Sequence, residues 1–450
     1  MENKKINDAT NFINKKILVI GSGGREHAVC LAIKNSKYNS EIFALPGNAG
    51  IKNLAKIIDK ININDHQAII NFCHENKIDF VFVGPEQPLV DGLVDVLTKN
   101  NIRCFGPSKS ASQLEASKIF MKKIADENNV PTAKYQTFDN ENQALNFVKE
   151  IGFPCVIKAD GLASGKGVII ANDFDSAKQN IHEILSGKFG IAGKKIVIEE
   201  FLQGYEASYF VICDGDNFIP LGFAHDHKKV GEGETGLNTG GMGTFAPSPF
   251  ISKNLEEKII KTIIEPTLNG MKKIDSPFKG ILFAGLMIEN DNPKLLEFNV
   301  RFGDPETQVI LPRLKSDFVD LIESSISGNL TNYKIEFFEE KKVVCVVMCS
   351  KGYPENFIKN THIKNILSLE NALANNHKIN DKNFENVKIL HAGTTIQDNK
   401  VLAIGGRVLN IVASDESFKI ARNKAYDLID NIDWQEGFCR KDIAKKVSQD

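Results

Sequence analysis

The stretch CVIKADGLASGKGVII, residues 155–170, decides how the middle of this chain folds. Two apolar runs typical of strands flank a glycine-rich turn, so the stretch predicts a hairpin. Lys158 lies on the first strand and Lys166 lies within the turn. Backbone N–H groups that close over an anion, beside two ammonium groups, suit a triphosphate. A mobile hairpin with ordinary surface lysines is the alternative interpretation. The glycines of the turn are Gly161, Gly165 and Gly167.

This hairpin is not a Walker loop, because the G-x-x-x-x-G-K-[ST] spacing is absent and a strand rather than a helix follows the turn. The next apolar strand, in KIVIEEFLQGYEAS (residues 195–208), runs into Glu199, Glu200 and Glu206. A strand end after a phosphate hairpin offers backbone groups to an adenine and a carboxylate to ribose hydroxyls. Taken alone, however, this pattern favours a solvated acidic strand end.

A second polar row lies in LLEFNVRFGDPE, residues 295–306. Glu297, Asn299 and Arg301 alternate along a predicted strand and therefore share one face. A carboxylate and an amide oxygen suit Mg²⁺, and an arginine holds an anion bidentately. The alternation alone favours a half-exposed strand of a mixed sheet. The Gly-Asp-Pro turn that follows, with Asp304 and a further acid, shifts the interpretation to the rim of a metal-phosphate site.

A glycine-rich segment, HDHKKVGEGETGLNTGGMG (residues 225–243), separates these two regions. It combines Asp226, Lys228, Lys229, Asn238 and Thr239 with many glycines, which is typical of a loop that closes over a substrate. The pair His225 and His227 suggests zinc, but no third ligand follows at a suitable spacing, so we do not expect a zinc site.

The N-terminal region, residues 15–116, alternates apolar runs with helix-like stretches at 26–35, 66–76 and 88–99. This pattern predicts a doubly wound parallel α/β sheet. The turn after the first strand reads GSGGRE, and free N–H groups at a helix start favour an anion. Glu26 occupies the third glycine position of the dinucleotide fingerprint, which argues against an NAD-dependent oxidoreductase. A tight turn without a ligand remains the alternative.

The chain is long enough, at 450 residues, for about three domains. We expect residues 1–14 to be a flexible extension. Residues 117–329 predict an α+β region with hairpins, including a small mobile subdomain at about 130–203, and residues 330–450 predict a smaller mixed α/β domain. The joins lack long Pro/Ser linkers, so the domains should pack against one another.

Composition narrows the class of protein. The net charge of −2 gives no sign of a nucleic-acid partner, and neither a signal peptide nor an 18-residue apolar run is present, so we expect no membrane partner. The eight cysteines form no C-x-x-C pair, which favours reduced thiols in a cytoplasmic protein. Cys345 and Cys349 lie in an apolar run and should be buried.

The order of these motifs matches a known family. Ser117-Lys118, VIKADGLASGKGV, VIEEFLQGYEAS, NTGGMG and EFNVRFGDPETQ follow one another, with GSGGREHA, PGNAG and VGPEQPLV before them and HAGT, GGRVL and FCRKDIA after them. From about residue 15 to 443 the chain resembles the phosphoribosylamine–glycine ligases of the ATP-grasp superfamily. The resemblance implies a Rossmann-like N-terminal domain, central ATP-grasp domains and a small mixed α/β C-terminal domain.

The resemblance also implies roles for individual residues. The phosphates, adenine and ribose of ATP would be held by Lys118, Lys158, Gly161, Ser164, Gly165, Lys166, Gly167, Glu199, Glu200, Leu202 and Glu206. Glu297 and Asn299 would bind Mg²⁺ or Mn²⁺. The phosphoribosyl part would be received by Gly23, Gly24, Arg25, Glu26 and Glu86, and the acyl phosphate and amine by Lys228, Asn238, Thr239, Gly240, Arg301 and Asp304.

The implied reaction joins glycine to 5-phosphoribosylamine through glycyl phosphate, with ADP and phosphate released, in a monomeric enzyme. Lys158, Arg301 and Asp304 would be the catalytic residues. Two departures from the family pattern are visible: residues 282–288 contain no acid, the nearest being Glu289, and Lys228 is followed by lysine where arginine is usual. The rival interpretations are another ATP-grasp ligase or carboxylase with a different carboxylate donor and a non-catalytic nucleotide-binding protein.

Overall fold

A computed structural model describes residues 14–162, 167–380 and 382–449. Residues 1–13 of the predicted extension, together with Ser164, Gly165 and Lys166 of the predicted hairpin turn, lie outside the described residues.

The N-terminal region folds as the predicted parallel α/β sheet. Its elements are β1 (Lys16–Gly21), α1 (Gly24–Lys34), β2 (Glu41–Pro46), β3 (Lys56–Ile57), α2 (His66–Asn76), β4 (Phe80–Val83), α3 (Glu86–Asp91), α4 (Leu93–Lys99), β5 (Cys104–Phe105) and α5 (Gln113–Ala116). The strand order is β3-β2-β1-β4-β5. Both faces of β1 and β4 are buried, as parallel sheets require. The predicted helix 88–99 is divided because Gly92 adopts φ 92°.

A four-stranded antiparallel sheet with two covering helices follows. Its elements are α6 (Lys118–Glu127), β6 (Tyr135–Phe138), α7 (Glu141–Ile151), β7 (Cys155–Ala159), β8 (Val168–Ala171), α8 (Phe174–Glu183) and β9 (Ile196–Glu200). The strand order is β6-β9-β7-β8, so β7 and β8 form the predicted hairpin. Helices α7 and α8 bury apolar side chains in a small separate core beneath this sheet.

The remaining central elements build most of a long sheet. They are β10 (Tyr205–Asp214), β11 (Phe218–Asp226), β12 (Lys229–Gly231), β13 (Thr235–Asn238), β14 (Gly243–Ala246), α9 (Lys253–Ile259), α10 (Glu265–Lys273), β15 (Lys279–Glu289), β16 (Asn292–Asn299), α11 (Thr307–Ile310) and α12 (Phe318–Ile326). A π-helical turn at Ile260–Ile264 joins α9 to α10, and a similar turn at Ile184–Lys188 continues α8. Strands β12 and β13 form a separate two-stranded ribbon.

The C-terminal elements are β17 (Lys342–Ser350), β18 (Thr361–Ile363), α13 (Ile366–Ala374), β19 (Val387–His391), β20 (Thr394–Gln397), β21 (Lys400–Ala403), β22 (Arg407–Asp415), α14 (Phe418–Ile429) and β23 (Gly437–Phe438). Strand β17 pairs with β14, so a single sheet runs β16-β15-β10-β11-β14-β17-β22-β19, with β23 beside β17. The C-terminal region therefore shares its main sheet with the central region. Cys345 and Cys349 are fully buried in β17, as predicted.

Within the described ranges, every helix is too short or too polar to span a bilayer.

Two buried histidines join the N-terminal and C-terminal regions. The backbone N–H of His391 donates to Nδ1 of His27 at 2.8 Å, and the His391 ring bonds Thr394 and Glu370. Burial, reinforced by the neighbouring His391, lowers the pKa of His27 to about 3. His27 is therefore neutral in the folded protein at pH values where an exposed histidine would be protonated.

We expect this contact to make the protein sensitive to acid. Lowering the pKa of His27 from about 6.5 to about 3 contributes about 5 kcal/mol to the free energy of unfolding above pH 6.5. This contribution is lost progressively as the pH falls towards 3. The His27→Gln variant should show a pH dependence of unfolding free energy that is shallower by about 1.4 kcal/mol per pH unit between pH 6 and 4. Urea unfolding measures this, with the exposed His74→Gln as control. Equal slopes for His27→Gln and the unchanged protein would contradict the assignment.

Candidate active site

A cavity of about 780 Å³ lies between the N-terminal sheet, the long sheet and the C-terminal region. Its walls contain most of the residues that the sequence singled out. Those that line it are Gly23, Arg25, Glu26, Glu86, Lys118, Gly161, Gly167, Lys228, Asn238, Thr239, Gly240, Glu297, Asn299, Arg301 and Asp304. Predicted residues outside its lining are Gly24, Lys158, Glu199, Glu200, Leu202 and Glu206.

The start of α6 places Lys118 at the cavity. Ser117 caps the helix by accepting a hydrogen bond from the Phe120 N–H at 3.0 Å, and its hydroxyl donates to Asp160 at the same distance. The capped helix start is thereby tied to the end of β7. Lys118 Nζ donates to the carbonyl oxygen of Gly161 at 3.2 Å, beside the hairpin turn.

Several nearby cations act on the carboxylate of Glu297. Its side chain is on β16, opposite Gly285 of β15, which has no side chain to compete for the space. Burial disfavours its charge, but nearby cations outweigh that effect and lower the pKa of Glu297. These cations are Lys228, Lys118, Lys158 and Arg301. The carboxylate is therefore ionised at neutral pH, as a metal ligand must be.

A β-bulge explains how Lys158 reaches this strand. Glu297 pairs with Gly285 and Leu295 pairs with Leu286, so Leu296 has no partner on β15. The carbonyl oxygen of Leu296 accepts a hydrogen bond from Lys158 Nζ at 3.2 Å. The bulge shifts the alternation of buried side chains along this strand: Leu295 is fully buried, whereas Leu296 is only partly buried.

Arg301 is held by two carboxylates. Its Nη2 atom is 2.9 Å from Glu115 Oε1, and its Nε atom is 3.4 Å from Glu86 Oε2. The same Nη2 donates to Asn299 Oδ1 at 3.1 Å. Burial raises the pKa of Glu115 despite Arg301, whereas Arg301 and Arg25 outweigh burial and lower the pKa of Glu86. The guanidinium is thus fixed in orientation beside the metal-type ligands.

The N-terminal turn differs from the prediction of free N–H groups for an anion. The Gly23 N–H donates to the Glu26 carboxylate at 2.6 Å, and Arg25 Nε donates to the other Glu26 oxygen. The Arg25 N–H faces Asp304 Oδ2 at 3.4 Å. The carboxylate of Glu26 therefore occupies the turn itself, where the Gly23 N–H and Arg25 Nε donate to it. Gly24 packs against Gln308 and Asn410 rather than against the cavity.

Asp304 joins this turn to the C-terminal region. Gln308 Nε2 donates to its carboxylate at 2.7 Å, and Arg407 Nη2 lies 3.6 Å away. Although burial opposes its charge, Arg407 and Arg25 lower the pKa of Asp304. Arg407 also donates to the carbonyl oxygens of Gly240 and Asp304, and its guanidinium lines the cavity.

Two further carboxyl groups line the cavity near Lys228. Burial, reinforced by Glu306, raises the pKa of Asp226, and burial raises the pKa of Glu306. Ser208 donates to Glu306 at 3.2 Å, whereas the buried Oδ1 of Asp226 accepts no hydrogen bond from the described residues. Asp226 thus has an oxygen available for a donor on a bound molecule.

Lys228 is placed by its own loop. The N–H and the hydroxyl of Thr239 both donate to its carbonyl oxygen, and its Nζ lies 2.8 Å from Glu206. Glu206, expected at ribose, thus pairs with Lys228. Glu200 bonds the Lys134 N–H and Lys294 beside a separate groove, and Leu202 is buried.

The two histidines of the loop are engaged within the protein. His225 bonds the Glu206 carbonyl oxygen at 3.0 Å and Ser248 at 2.6 Å, and His227 bonds the Gly243 carbonyl oxygen at 3.2 Å. Burial lowers the pKa of His225 to about 4. These contacts give both side chains a structural role in holding the loop.

Two cavity residues had been noted only as parts of longer segments: Glu306 as the further acid at the rim and Asp226 in the closing loop. Sequence reasoning missed four others: Glu115, Tyr353, Phe357 and Arg407. Arg407 stands in the GGRVL motif, so that motif was a usable signal. Glu115 had no such signal, because only the folded chain brings α5 to Arg301.

Three domain models match the chain in order: the phosphoribosylglycinamide synthetase N domain over residues 15–115, its ATP-grasp (A) domain over 116–307 and its C domain over 343–446. Together they cover most of the described chain.

Curated relatives match along nearly the full length. The phosphoribosylamine–glycine ligase of Brucella melitensis is 45% identical, covering 95% of this chain and 97% of its own. The chloroplastic phosphoribosylamine–glycine ligase of Arabidopsis thaliana is 45% identical, covering 93% of this chain and 78% of its own.

Solved structures agree on the fold. The phosphoribosylamine–glycine ligase of Thermotoga maritima is 29% identical and superimposes with a TM-score of 0.79 over 95% of this chain and 100% of its own. The biotin carboxylase domain of Hydrogenobacter thermophilus 2-oxoglutarate carboxylase, 16% identical, has a TM-score of 0.70 over 94% of this chain and 91% of its own, and shows the shared architecture alone. From its domains, its relatives and its fold, the chain belongs to the phosphoribosylamine–glycine ligase family of ATP-grasp enzymes.

Proposed function

We infer that the cavity around Glu297 carries out the reaction of this family. As a family member, the chain is an ATP-dependent ligase that joins glycine to 5-phosphoribosylamine and releases ADP and phosphate. One observation carries the assignment of the site: Glu297, whose pKa four nearby cations lower, lies at the wall of a cavity large enough for a nucleotide and a second substrate.

ATP would lie along the hairpin side of the cavity. Lys118 and Lys158, with Gly161 and Gly167 of the turn, would hold its phosphates, and the family assigns the same role to Ser164, Gly165 and Lys166. The end of β9, with Glu199, Glu200 and Leu202, would contact the adenine through its backbone, since the Glu199 and Glu200 side chains bond to lysines and to a backbone N–H. Glu206 would bind the ribose hydroxyls only if its ion pair with Lys228 were broken.

The donor set fits a hard divalent cation. Glu297 and Asn299 offer one carboxylate and one amide oxygen at alternate positions of β16, and Mg²⁺ or Mn²⁺ completes its shell with phosphate and water oxygens. When bound, such an ion neutralises phosphate charge and polarises the transferred phosphoryl group. Residues 282–288 contain no acid, so β15 offers no second carboxylate before Glu289.

The chemistry would need positioning rather than a nucleophilic side chain. The glycine carboxylate attacks the γ-phosphorus of ATP, so a P–O bond to ADP breaks as glycyl phosphate forms. The amine of phosphoribosylamine then attacks the acyl carbon, and phosphate leaves. Lys158 and Arg301 would stabilise the phosphoryl charge, and Asp226 would accept a hydrogen bond from an amino group. Shielding by the hairpin would keep water from the acyl phosphate.

Phosphoribosylamine would lie between the N-terminal turn and the C-terminal region. Glu26 and Glu86 offer carboxylate oxygens, which suit ribose hydroxyls better than a phosphate. Arg407 is a cation at this end of the cavity, so the 5-phosphate would lie near Arg407. The amine would be surrounded by Asp304, Asn238, Thr239 and Gly240.

A coupled assay tests this function. Ribosylamine formed in place from ribose 5-phosphate and ammonia is supplied with ATP, Mg²⁺ and glycine, and ADP release is followed. We expect release to require glycine and to fall strongly when ribose replaces ribose 5-phosphate. Equal ADP release with bicarbonate in place of glycine would favour a different carboxylate donor and contradict the proposal.

We also propose that the protein is a cytoplasmic monomer. All eight cysteines are free thiols, which suits a reducing compartment. Sedimentation equilibrium at micromolar concentration tests the oligomeric state, and a mass of twice the chain would contradict it.

A further inference from the structure

Lys122 is a fully buried lysine one turn beyond Lys118 on α6. Its Nζ donates to Thr132 Oγ1 at 2.7 Å and to the Ala133 carbonyl oxygen at 3.4 Å, and it lies 3.1 Å from Glu199 Oε1. A buried ammonium group is costly unless it is paired. None of the substrate contacts proposed above uses it.

Glu199 is shared between two lysines. Its Oε1 faces Lys122, and its Oε2 lies 2.8 Å from Lys158 Nζ. Lys158 reaches β16 directly, because it donates to the Leu296 carbonyl oxygen. Lys122 is connected to β16 through Thr132, which accepts from Lys122 and donates to the Leu295 carbonyl oxygen. The group Lys122–Glu199–Lys158 therefore links α6, β9 and β7 to the strand that carries Glu297.

The charges of this group decide what Lys158 offers to a ligand. With Lys122 protonated, two ammonium groups and one carboxylate sum to one positive charge. When Lys122 is uncharged, the charges of the group sum to zero, and Lys158 alone neutralises Glu199. The group would then attract a polyphosphate more weakly, and the ion pair would hold Lys158 towards β9.

We propose that Lys122 is a positioning residue for ATP. From α6 it neutralises the charge of Glu199, so that the charge of Lys158 stays available to the nucleotide phosphates. The proposal rests on the proposed role of Lys158 at ATP. It assigns to Lys122 no contact with the substrate.

The environment of Lys122 makes the effect dependent on pH. Burial lowers the pKa of Lys122 to about 8, although Glu199 opposes this shift. The other charged or titratable groups that face it are Lys158 on β7, Asp126 on its own helix and Tyr135 on β6, whose ring lies 4.8 Å from Nζ. Tyr135 has its pKa raised by burial and by Asp126 and stays neutral in this range. Lys122 is therefore expected to lose its charge as the pH rises from 7 to 9.

Binding of a non-hydrolysable ATP analogue with Mg²⁺, measured by calorimetry, tests the proposal without turnover. In Lys122→Met we expect the dissociation constant at pH 7 to rise about tenfold through loss of one nearby charge. In the double variant Lys122→Met/Glu199→Gln the net positive charge returns, and the constant should recover to within about threefold of the unchanged protein. Lys123→Met, the exposed neighbour on the same helix, is the matched control and should bind normally.

The unchanged protein gives a second readout that does not depend on the variant folding. Its affinity for the analogue should fall between pH 7 and 9, and Lys122→Met should lack that step. Tight binding by Lys122→Met, no recovery in the double variant, or a flat pH profile in the unchanged protein would each overturn the proposal. Because glycine-dependent ADP release is assayed separately, these failures are distinct from a failure of the proposed function.

Discussion

Replacing Glu297 with glutamine should reduce kcat about a thousandfold, equivalent to about 4 kcal/mol of transition-state stabilisation. The amide keeps the shape of the side chain but removes the negative charge that four nearby cations stabilise. A metal ion bound by Asn299 and phosphates alone would be held weakly and in a less defined position. Steady-state rates as a function of Mg²⁺ concentration measure the effect, and the variant should need more metal for half-maximal rate.

The fold should survive this change. Glu297 supplies no apolar packing, and Gly285 opposite leaves room for the amide. We therefore expect a native circular dichroism spectrum and cooperative unfolding. Glu289→Gln, an exposed acid at the end of β15, is the matched control and should turn over normally. Near-normal turnover of Glu297→Gln at saturating Mg²⁺ would refute the metal assignment.

The second large effect is expected for Arg301→Lys, which keeps the positive charge but removes the planar guanidinium group and its several N–H donors. A lysine cannot bond Glu115, Glu86 and Asn299 together, and it presents a point charge to the phosphoryl group. We expect kcat to fall about a hundredfold, equivalent to about 2.7 kcal/mol. Single-turnover measurement of ADP formation separates this loss from slower product release.

A surface arginine provides the comparison for this variant. Arg103 pairs with Glu323, and neither residue lines the cavity, so Arg103→Lys makes the same chemical change outside the site. If Arg301→Lys lost stability but kept its rate per folded molecule, the residue would act only through its partners Glu115 and Glu86. That outcome would remove Arg301 from the catalytic set.

Local periodicity was sufficient to predict which polar side chains of β16 and the turn after it share one face. Glu297, Asn299 and Arg301 share a cavity because the period of two holds from Glu297 onward. The bulge at Leu296 lies just before them, so it changes the face of the preceding leucines and leaves the polar row intact. The hairpin of β7 and β8 followed from the same kind of signal, since two apolar runs around glycines rarely fold otherwise.

Contacts between distant segments could not be predicted in the same way. Glu115, Asp226 and Arg407 come together only when α5, β11 and β22 pack, and no spacing in the sequence records that proximity. The N-terminal turn shows a related limit. Its glycines correctly indicated a tight turn, but the side chain of Glu26 folds back onto the N–H groups that an anion was expected to use.

The pairing of β17 with β14 has a consequence for any shortened form of the protein. Cutting the chain near residue 340 would leave β14 with a row of unsatisfied N–H and C=O groups at a bare sheet margin. Such margins recruit strands from other molecules. A fragment ending there should self-associate rather than fold as an independent nucleotide-binding unit. The two fragments expressed as separate chains should be soluble only when they are produced together.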